Sequence, residues 1–197
     1  MPQILDGKGD GYKVQVDKDH RMLTKSIIET EEAFIASKDA RSYLVSTLVH
    51  TLNSTNEHKV LYLRNNSQQY DMRIQTVYLS WNGGSTNHDR VMKWSWYVAP
   101  NEPTANHEEA LVGNLNFRSN NIANITAYKW DGVGDGITWD NGIIGSEELL
   151  GNGHSKIENW GTPIIGFNNA VGLAFTGEEI GDFSATVRFY MKEAIGV

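Results

Sequence analysis

Six histidines and several adjacent glutamate pairs are the residues of this chain whose types suit catalysis or metal binding. No two histidines stand at metal-ligand spacing: His107-Glu108-Glu109 begins like a zinc-protease helix, but Leu111 stands where the second histidine is required. Adjacent glutamates serve a glycosidase only if two carboxylates face each other across a cleft, and on turns such pairs are far more often solvated. Cysteine is absent, which excludes thiolate chemistry. We therefore predict that the chain is not an enzyme.

Two turns share the form Asp-Gly-x-Gly-Asp-Gly, at residues 6–11 and 131–136. A calcium loop needs oxygen ligands at its positions 1, 3 and 5, a glycine at position 6 and an acidic residue at position 12. Both copies lack the ligand at position 3, where a lysine and a valine stand. Turn formation explains both segments equally well. We predict no metal and no cofactor, and Asp131 and Asp135 stay as the calcium candidates.

Six tryptophans offer large apolar rings that fill a core, stack on sugars or contact a protein partner. Trp94 and Trp96 stand two residues apart in an apolar strand pattern, and we expect such rings in the core. Trp139 and Trp160 stand in a glycine-rich stretch, where we expect exposed side chains. Because exposed tryptophan is a frequent interface anchor, we predict that Trp139 and Trp160 contact a partner.

Alternation of apolar with polar residues predicts the strands that position these side chains. In residues 183–191 the large apolar side chains fall on every second position, and residues 171–175 alternate in the same way. The acidic turn between them, residues 177–181, predicts a hairpin. Further strands are predicted at residues 43–52, 59–64, 72–81, 91–98, 111–117, 125–130, 137–139 and 164–167.

Eight or more short strands without helical stretches between them predict an all-β fold, an antiparallel two-sheet β-sandwich of the jelly-roll type. Residues 1–26 differ from the rest, because they hold a flexible glycine-rich stretch and few apolar side chains. We predict an extended N-terminal arm at residues 1–26 and the β-sandwich (jelly-roll) domain at residues 27–197.

The arm holds a short alternating segment in which the apolar residues are Tyr12, Val14 and Val16, followed by Leu23. An extended segment of this kind can add a strand to the sheet edge of a neighbouring molecule. Backbone hydrogen bonds then supply the affinity and alternate side chains supply the specificity. We predict these four residues as interaction residues, together with the two tryptophans of the glycine-rich stretch.

The overall composition limits the classes of partner that the chain can bind. The formal net charge of −7 argues against nucleic acid, which requires a basic surface. No run of about 18 apolar residues is present, so we predict no membrane span. The absence of cysteine suits synthesis in a reducing cytoplasm.

Three segments of the sequence indicate a family. They are DGKGDGYKVQVDKDHRML at residues 6–23, VLYLRNN at residues 60–66, and the closing FTGEE and FSATVRFY at residues 175–179 and 183–190. Together they resemble structural proteins of tailed bacteriophages, and within these the jelly-roll capsid decoration (cement) proteins. The resemblance covers both ends and part of the middle of the chain.

The resemblance implies a protein that binds the lattice of the major capsid protein and stabilises the capsid. It also implies a homo-oligomer, a trimer, on the outer capsid surface of the virion, synthesised in the host cytoplasm. Symmetry multiplies a weak contact into high avidity. The alternatives are a head or tail fibre component and a carbohydrate-binding (receptor-binding) β-sandwich module.

Overall fold

The structure is a computed structural model, and it describes residues 35, 39–52, 57–83, 91–98, 100–104, 106–130, 139, 143–150, 153–158, 164–177 and 181–194. The chain divides into two units, Met1–Glu31 and Glu32–Val197, and every described residue lies in the second. The predicted boundary between an arm ending at residue 26 and a sandwich beginning at residue 27 therefore lies outside the described residues.

The described residues form thirteen β-strands, with no α-helix among them. In chain order they are β1 (Ser42–Ser46), β2 (His50–Leu52), β3 (His58–Asn65), β4 (Tyr70–Gly83), β5 (Val91–Val98), β6 (Glu108–Glu109), β7 (Val112–Asn114), β8 (Ile125–Lys129), β9 (Ile143–Leu150), β10 (Gly153–Glu158), β11 (Ile164–Ile165), β12 (Ala170–Gly177) and β13 (Gly181–Glu193).

The strands of this described part pair into two antiparallel sheets. The seven-stranded sheet has the order β10-β4-β13-β1-β7, with β11 also paired to β4 and β2 to β13. The six-stranded sheet has the order β6-β8-β3-β12-β5-β9. The predicted all-β fold with two antiparallel sheets is confirmed, while its jelly-roll topology stays a prediction.

One apolar core joins the facing sides of the two sheets and makes the fold a β-sandwich. Along β13 every second side chain is buried, from Phe183 to Phe189, as the alternation predicted. The paired strand β4 buries Ile74 and then Val77, because its register against β13 shifts by one residue at Gln75. Each large apolar side chain buried in this way stabilises the fold by roughly 1.5–3 kcal/mol.

The last two strands do not form the predicted hairpin. β12 pairs with β3 and β5 in the six-stranded sheet, whereas β13 pairs with β4, β1 and β2 in the other. The chain therefore changes sheets between Gly177 and Gly181. Across the core the rings of Phe175 and Phe183 lie 5.0 Å apart between centroids. Both apolar faces are buried against each other, which a hairpin within one sheet does not achieve.

Two predicted strands are shorter than expected. Residues 43–52 are divided into β1 and β2, because Leu48 has a φ of 61°, a left-handed conformation that ends a strand. Of the predicted strand 111–117 only β7 forms, and Phe117 lies in a turn. Trp139 also lies outside any strand, so the prediction of a strand at residues 137–139 is wrong at that residue.

Asn65, at the end of β3, links the two sheets by hydrogen bonds. Its side chain is fully buried, and its Nδ2 donates to the main-chain oxygens of Tyr70 at 2.7 Å and Ile165 at 2.8 Å. Its Oδ1 accepts the main-chain N–H of Ser67 at 2.9 Å. Three main-chain groups of the strand ends are thus satisfied by one amide, which a buried polar group requires.

Candidate interaction surface

The segment from Ala110 to Asn124, here called the edge segment, borders both sheets. It begins after β6, which is the last strand of the six-stranded sheet on β8, and it contains β7, which is the last strand of the seven-stranded sheet on β1. The chain therefore passes from one sheet to the other at Leu111. This crossing places the whole segment along one side of the sandwich.

The edge segment carries three large apolar side chains that are almost completely exposed. They are Leu111 at 87%, Phe117 at 95% and Ile122 at 90%, the highest values for large apolar residues in the described part of the chain. Single exposed apolar residues are ordinary, but several in one short segment indicate an interaction site. We call these three residues the apolar patch.

Asparagine side chains hold the edge segment in place. Asn114 Nδ2 donates to the main-chain oxygens of Ala40 at 2.7 Å and of Asn121 at 2.9 Å, which ties the two ends of the loop together. Asn121 Nδ2 in turn donates to the main-chain oxygen of Asp39 at 3.0 Å. A loop fixed by its own hydrogen bonds loses little conformational entropy when a partner binds it.

Phe117 stands at the tip of a turn within this loop. The main-chain N–H of Ser119 donates to the oxygen of Asn116 at 2.9 Å, and the N–H of Arg118 donates to Asn116 Oδ1 at 3.1 Å. Asparagine favours such turns because its side chain bonds the backbone two residues on. The phenyl ring is therefore presented by a defined turn.

The three members of the apolar patch lie close together. Leu111 and Phe117 are each three residues from Asn114, and three residues span at most about 11 Å. Ile122 follows Asn121 directly, and Asn121 is hydrogen-bonded to Asn114. All three patch residues are therefore carried by one hydrogen-bonded loop.

A cavity of about 310 Å³, here called the edge cavity, lies beside the patch. Its lining includes Arg41, Tyr43, Tyr70, Ile122, Ala123 and Met191. The Arg41 guanidinium lies 4.3 Å from the centroid of the Tyr70 ring and bonds Asp39 at 2.6 Å. Burial raises the pKa of the Tyr43 hydroxyl, against the opposing charge of Arg41, so this phenol is neutral at physiological pH.

A second, smaller cavity of about 220 Å³ lies where the start of the segment meets β8. It is lined by Glu109, Ala110 and Val112 on one wall and by residues of β8 on the other. Glu108, next to it, forms an ion pair with Lys129 at 3.0 Å. The edge segment thus combines exposed apolar side chains with two neighbouring hollows.

Trp139 corrects one prediction, because its ring is buried and only 5% exposed. It lies on the outer face of β12 over Gly172, where a Cβ atom would come within 2.5 Å of the indole. The ring centroids of Tyr97 and Trp130 are 5.5 and 5.8 Å away, and Lys59 Nζ lies 5.5 Å from the ring. The glycine leaves room that the indole fills, so Trp139 is not an exposed anchor.

The remaining predicted site residues lie outside the described residues. They are Tyr12, Val14, Val16, Leu23 and Trp160, and the calcium candidates Asp131 and Asp135. The prediction that Trp94 and Trp96 belong to the core is confirmed, since both are buried in it.

The apolar patch was missed because its first residues were assigned to a strand. The available signal was the spacing of asparagines, at positions 114, 116, 120, 121 and 124. Asparagine at this density is typical of loops, and an apolar side chain in a loop has no sheet face to cover it.

In the described ranges no three His, Asp or Glu side chains converge as ligands for a metal ion. Among those same residues no helix has the length and hydropathy needed to cross a membrane.

No protein-family profile matches the chain, and no curated protein matches it. Among solved structures, the chain is similar to the crystal structure of the infectious bursal disease virus VP2 subviral particle. The identity is 9%, the alignment covers 78% of this chain and 42% of that chain, and the TM-score is 0.17. The chain spans less than half the length of that protein, and a TM-score this low gives no basis for transferring a fold or a function.

Proposed function

We propose that this chain is a structural protein of a tailed-bacteriophage virion, which decorates and stabilises the capsid by binding the lattice of the major capsid protein as a homotrimer. Two features support the proposal. The first is the resemblance of residues 6–23, 60–66 and 175–190 to capsid decoration proteins. The second, which carries it, is the apolar patch presented on a hydrogen-bonded loop at the side of a β-sandwich.

The patch suits contact with protein because of how much apolar surface it offers. Three large side chains supply on the order of 150 Å² each, and at about 25 cal/mol per Å² their burial is worth roughly 10 kcal/mol before costs. Association itself costs about 4–15 kcal/mol, so one such contact is marginal alone. A symmetric oligomer on a repeating lattice makes several contacts at once, and the combined avidity is then high.

The net charge of −7 fits this role. Like charges keep free copies of a protein soluble and apart until a specific surface meets its partner. A decoration protein must stay soluble in the host cytoplasm and then bind an assembled capsid.

The test uses the virus whose genome encodes the chain. Particles purified with and without the gene are compared by mass spectrometry, by cryo-electron microscopy and by heat-induced release of DNA. We expect the chain on the outer capsid surface in many copies, and we expect particles that lack it to release DNA at a lower temperature. Absence of the chain from the capsid contradicts the proposal.

The two alternatives predict other results, one on the virion and one on a glycan array. A fibre component appears in a few copies on a head or tail appendage instead of across the capsid. A carbohydrate-binding module gives specific signals on a glycan array, whereas a decoration protein gives none. Burial of Trp139 removes one of the two exposed rings on which the carbohydrate alternative depended.

A further inference from the structure

We propose that Phe117 and the edge cavity are the two halves of a contact between copies of this chain, in which Phe117 of one copy enters the edge cavity of the next. The inference rests on the proposed function in one respect, since a decoration protein acts as a closed oligomer. It names the partner of the patch, which is a second copy of the same chain.

The sizes of the two halves match. A cavity of roughly 150 Å³ is enough to hold benzene, and the edge cavity has about 310 Å³. Phe117 is 95% exposed at the tip of its turn, so its ring projects without rearrangement of the loop. The edge cavity therefore has room for the ring and for part of the turn that carries it.

The chemistry of the cavity favours an apolar guest. Some of its polar groups are already bonded to the wall: Asn121 Nδ2 donates to the main-chain oxygen of Asp39, and Asn124 Nδ2 donates to that of Asn66 at 3.2 Å. Ser67 Oγ accepts the main-chain N–H of Tyr70 at 3.1 Å. An apolar ring placed against these bonded groups displaces water without breaking their hydrogen bonds.

Three lining groups suit an aromatic ring in particular. The Arg41 guanidinium already lies 4.3 Å from the centroid of the Tyr70 ring, and a guanidinium plane stacks favourably on an aromatic face. Met191 supplies a polarizable sulfur, which makes favourable contacts with aromatic rings. Ala123 leaves space between them because its side chain is a single methyl group.

The proposed trimer requires this contact to run head to tail. Phe117 and the residues that line the cavity, from Asn121 to Asn124, are separate places on one segment, so the ring of one copy meets the hollow of the next. Contacts of this kind either close into a ring or grow into a fibre, and a ring of three gives the proposed trimer. The three patch residues supply roughly half of the ~800 Å² per partner that a standard interface buries.

The first test measures the mass of the purified chain by light scattering after size-exclusion chromatography. We expect three chains of 22.0 kDa each for the wild type and one chain for Phe117→Asp. Gln69→Trp, at an exposed residue of the cavity lining, fills the hollow and also gives one chain. Val49→Asp is the matched control, since Val49 is 70% exposed beyond the other end of β1, and this variant keeps the mass of the wild type.

The second test remains informative if a substitution disturbs folding. Because the chain has no cysteine, a variant with Arg118→Cys and Gln69→Cys carries thiols only beside the phenyl ring and at the cavity. Mild oxidation then links copies covalently, and non-reducing electrophoresis shows dimers and trimers. A variant with Arg118→Cys and Val49→Cys stays monomeric on the gel.

A wild-type chain that is monomeric at high concentration and gives no cross-links overturns the inference. A trimer that persists in Phe117→Asp, or cross-links that form equally with the Val49→Cys control, overturns it as well. The proposed function is judged separately, on the virion. A purified trimer that is absent from capsids contradicts the proposed function but not this contact. Monomers that bind capsids contradict this contact but not the binding of the chain to the capsid.

Discussion

Replacing Gly172 by alanine tests the packing of Trp139 on β12. An alanine Cβ at this position would lie 2.5 Å from Cζ3, 2.6 Å from Cη2 and 2.9 Å from Cε3 of the indole. Atoms in folded proteins do not approach so closely, so either the indole or the strand must move. Trp139 is the element that yields, because β12 is hydrogen-bonded to a strand on each side.

The loss of stability follows from the overpacking and from the aromatic contacts that the indole loses when it moves. Overpacking in a well-filled cluster costs about 1–3 kcal/mol, and each aromatic pair that is lost costs about 0.5–1.5 kcal/mol beyond its buried area. Trp139 contacts both Tyr97 and Trp130. We expect Gly172→Ala to lower the free energy of unfolding by about 1–3 kcal/mol. For a chain of this size that corresponds to a melting temperature lower by roughly 2–12 °C.

The assay is urea unfolding followed by tryptophan fluorescence and circular dichroism, and the folded variant should also emit at longer wavelength because an indole becomes exposed. Gly113→Ala is the matched control, since Gly113 also lies in a strand but the nearest atom to its Cβ is Leu44 O at 3.9 Å. We expect the control to stay within about 0.5 kcal/mol of the wild type.

A double substitution isolates the contact. In a Trp139→Ala background the indole is gone, so adding Gly172→Ala should cost nothing further. Equal stability of Gly172→Ala and Gly113→Ala refutes the packing described here. So does an unchanged cost of Gly172→Ala when Trp139 is absent.

Two other substitutions test buried hydrogen bonds. Asn65→Ala leaves two buried main-chain groups and one half-buried group without their partner, and since each buried group costs about 1–3 kcal/mol we expect a loss of about 2–6 kcal/mol in urea unfolding. The exposed Asn120→Ala is its control, and a loss as small as that of the control contradicts the role of Asn65. Burial is the main cause that raises the pKa of Tyr97 from 10.0 to about 12, and a hydrogen bond to Glu57 at 2.7 Å acts in the same direction. The contribution of this tyrosine to the stability of the fold is therefore present below pH 10 and is lost as the pH rises through 12. Absorbance titration of Tyr97→Phe should lack one tyrosine that ionises near pH 12, and a curve identical to that of the wild type contradicts this.

The sequence predicted the environment of some tryptophans correctly, but it did not predict the apolar patch. The tryptophans at positions 94 and 96 were assigned to the core correctly, because their two-residue spacing in an apolar segment is a local property. Trp139 was assigned wrongly, since its burial depends on a glycine 33 positions further along the chain. The apolar patch was missed for a similar reason, because the hydrogen bonds that make residues 114–121 a loop reach back to Asp39 and Ala40.

The sequence by itself determined the all-β class and the buried side of β13, as the alternation from Phe183 to Phe189 shows. A strand has a period of two, so its faces can be read from the residues alone. Only the tertiary structure decided which strands are neighbours, and it placed β12 and β13 in opposite sheets. The physical reason is that alternation shows which face of a strand is apolar and will be buried, but it does not show which other strand packs against that face. The rings of Phe175 and Phe183 meet across the core because that arrangement buries both faces together.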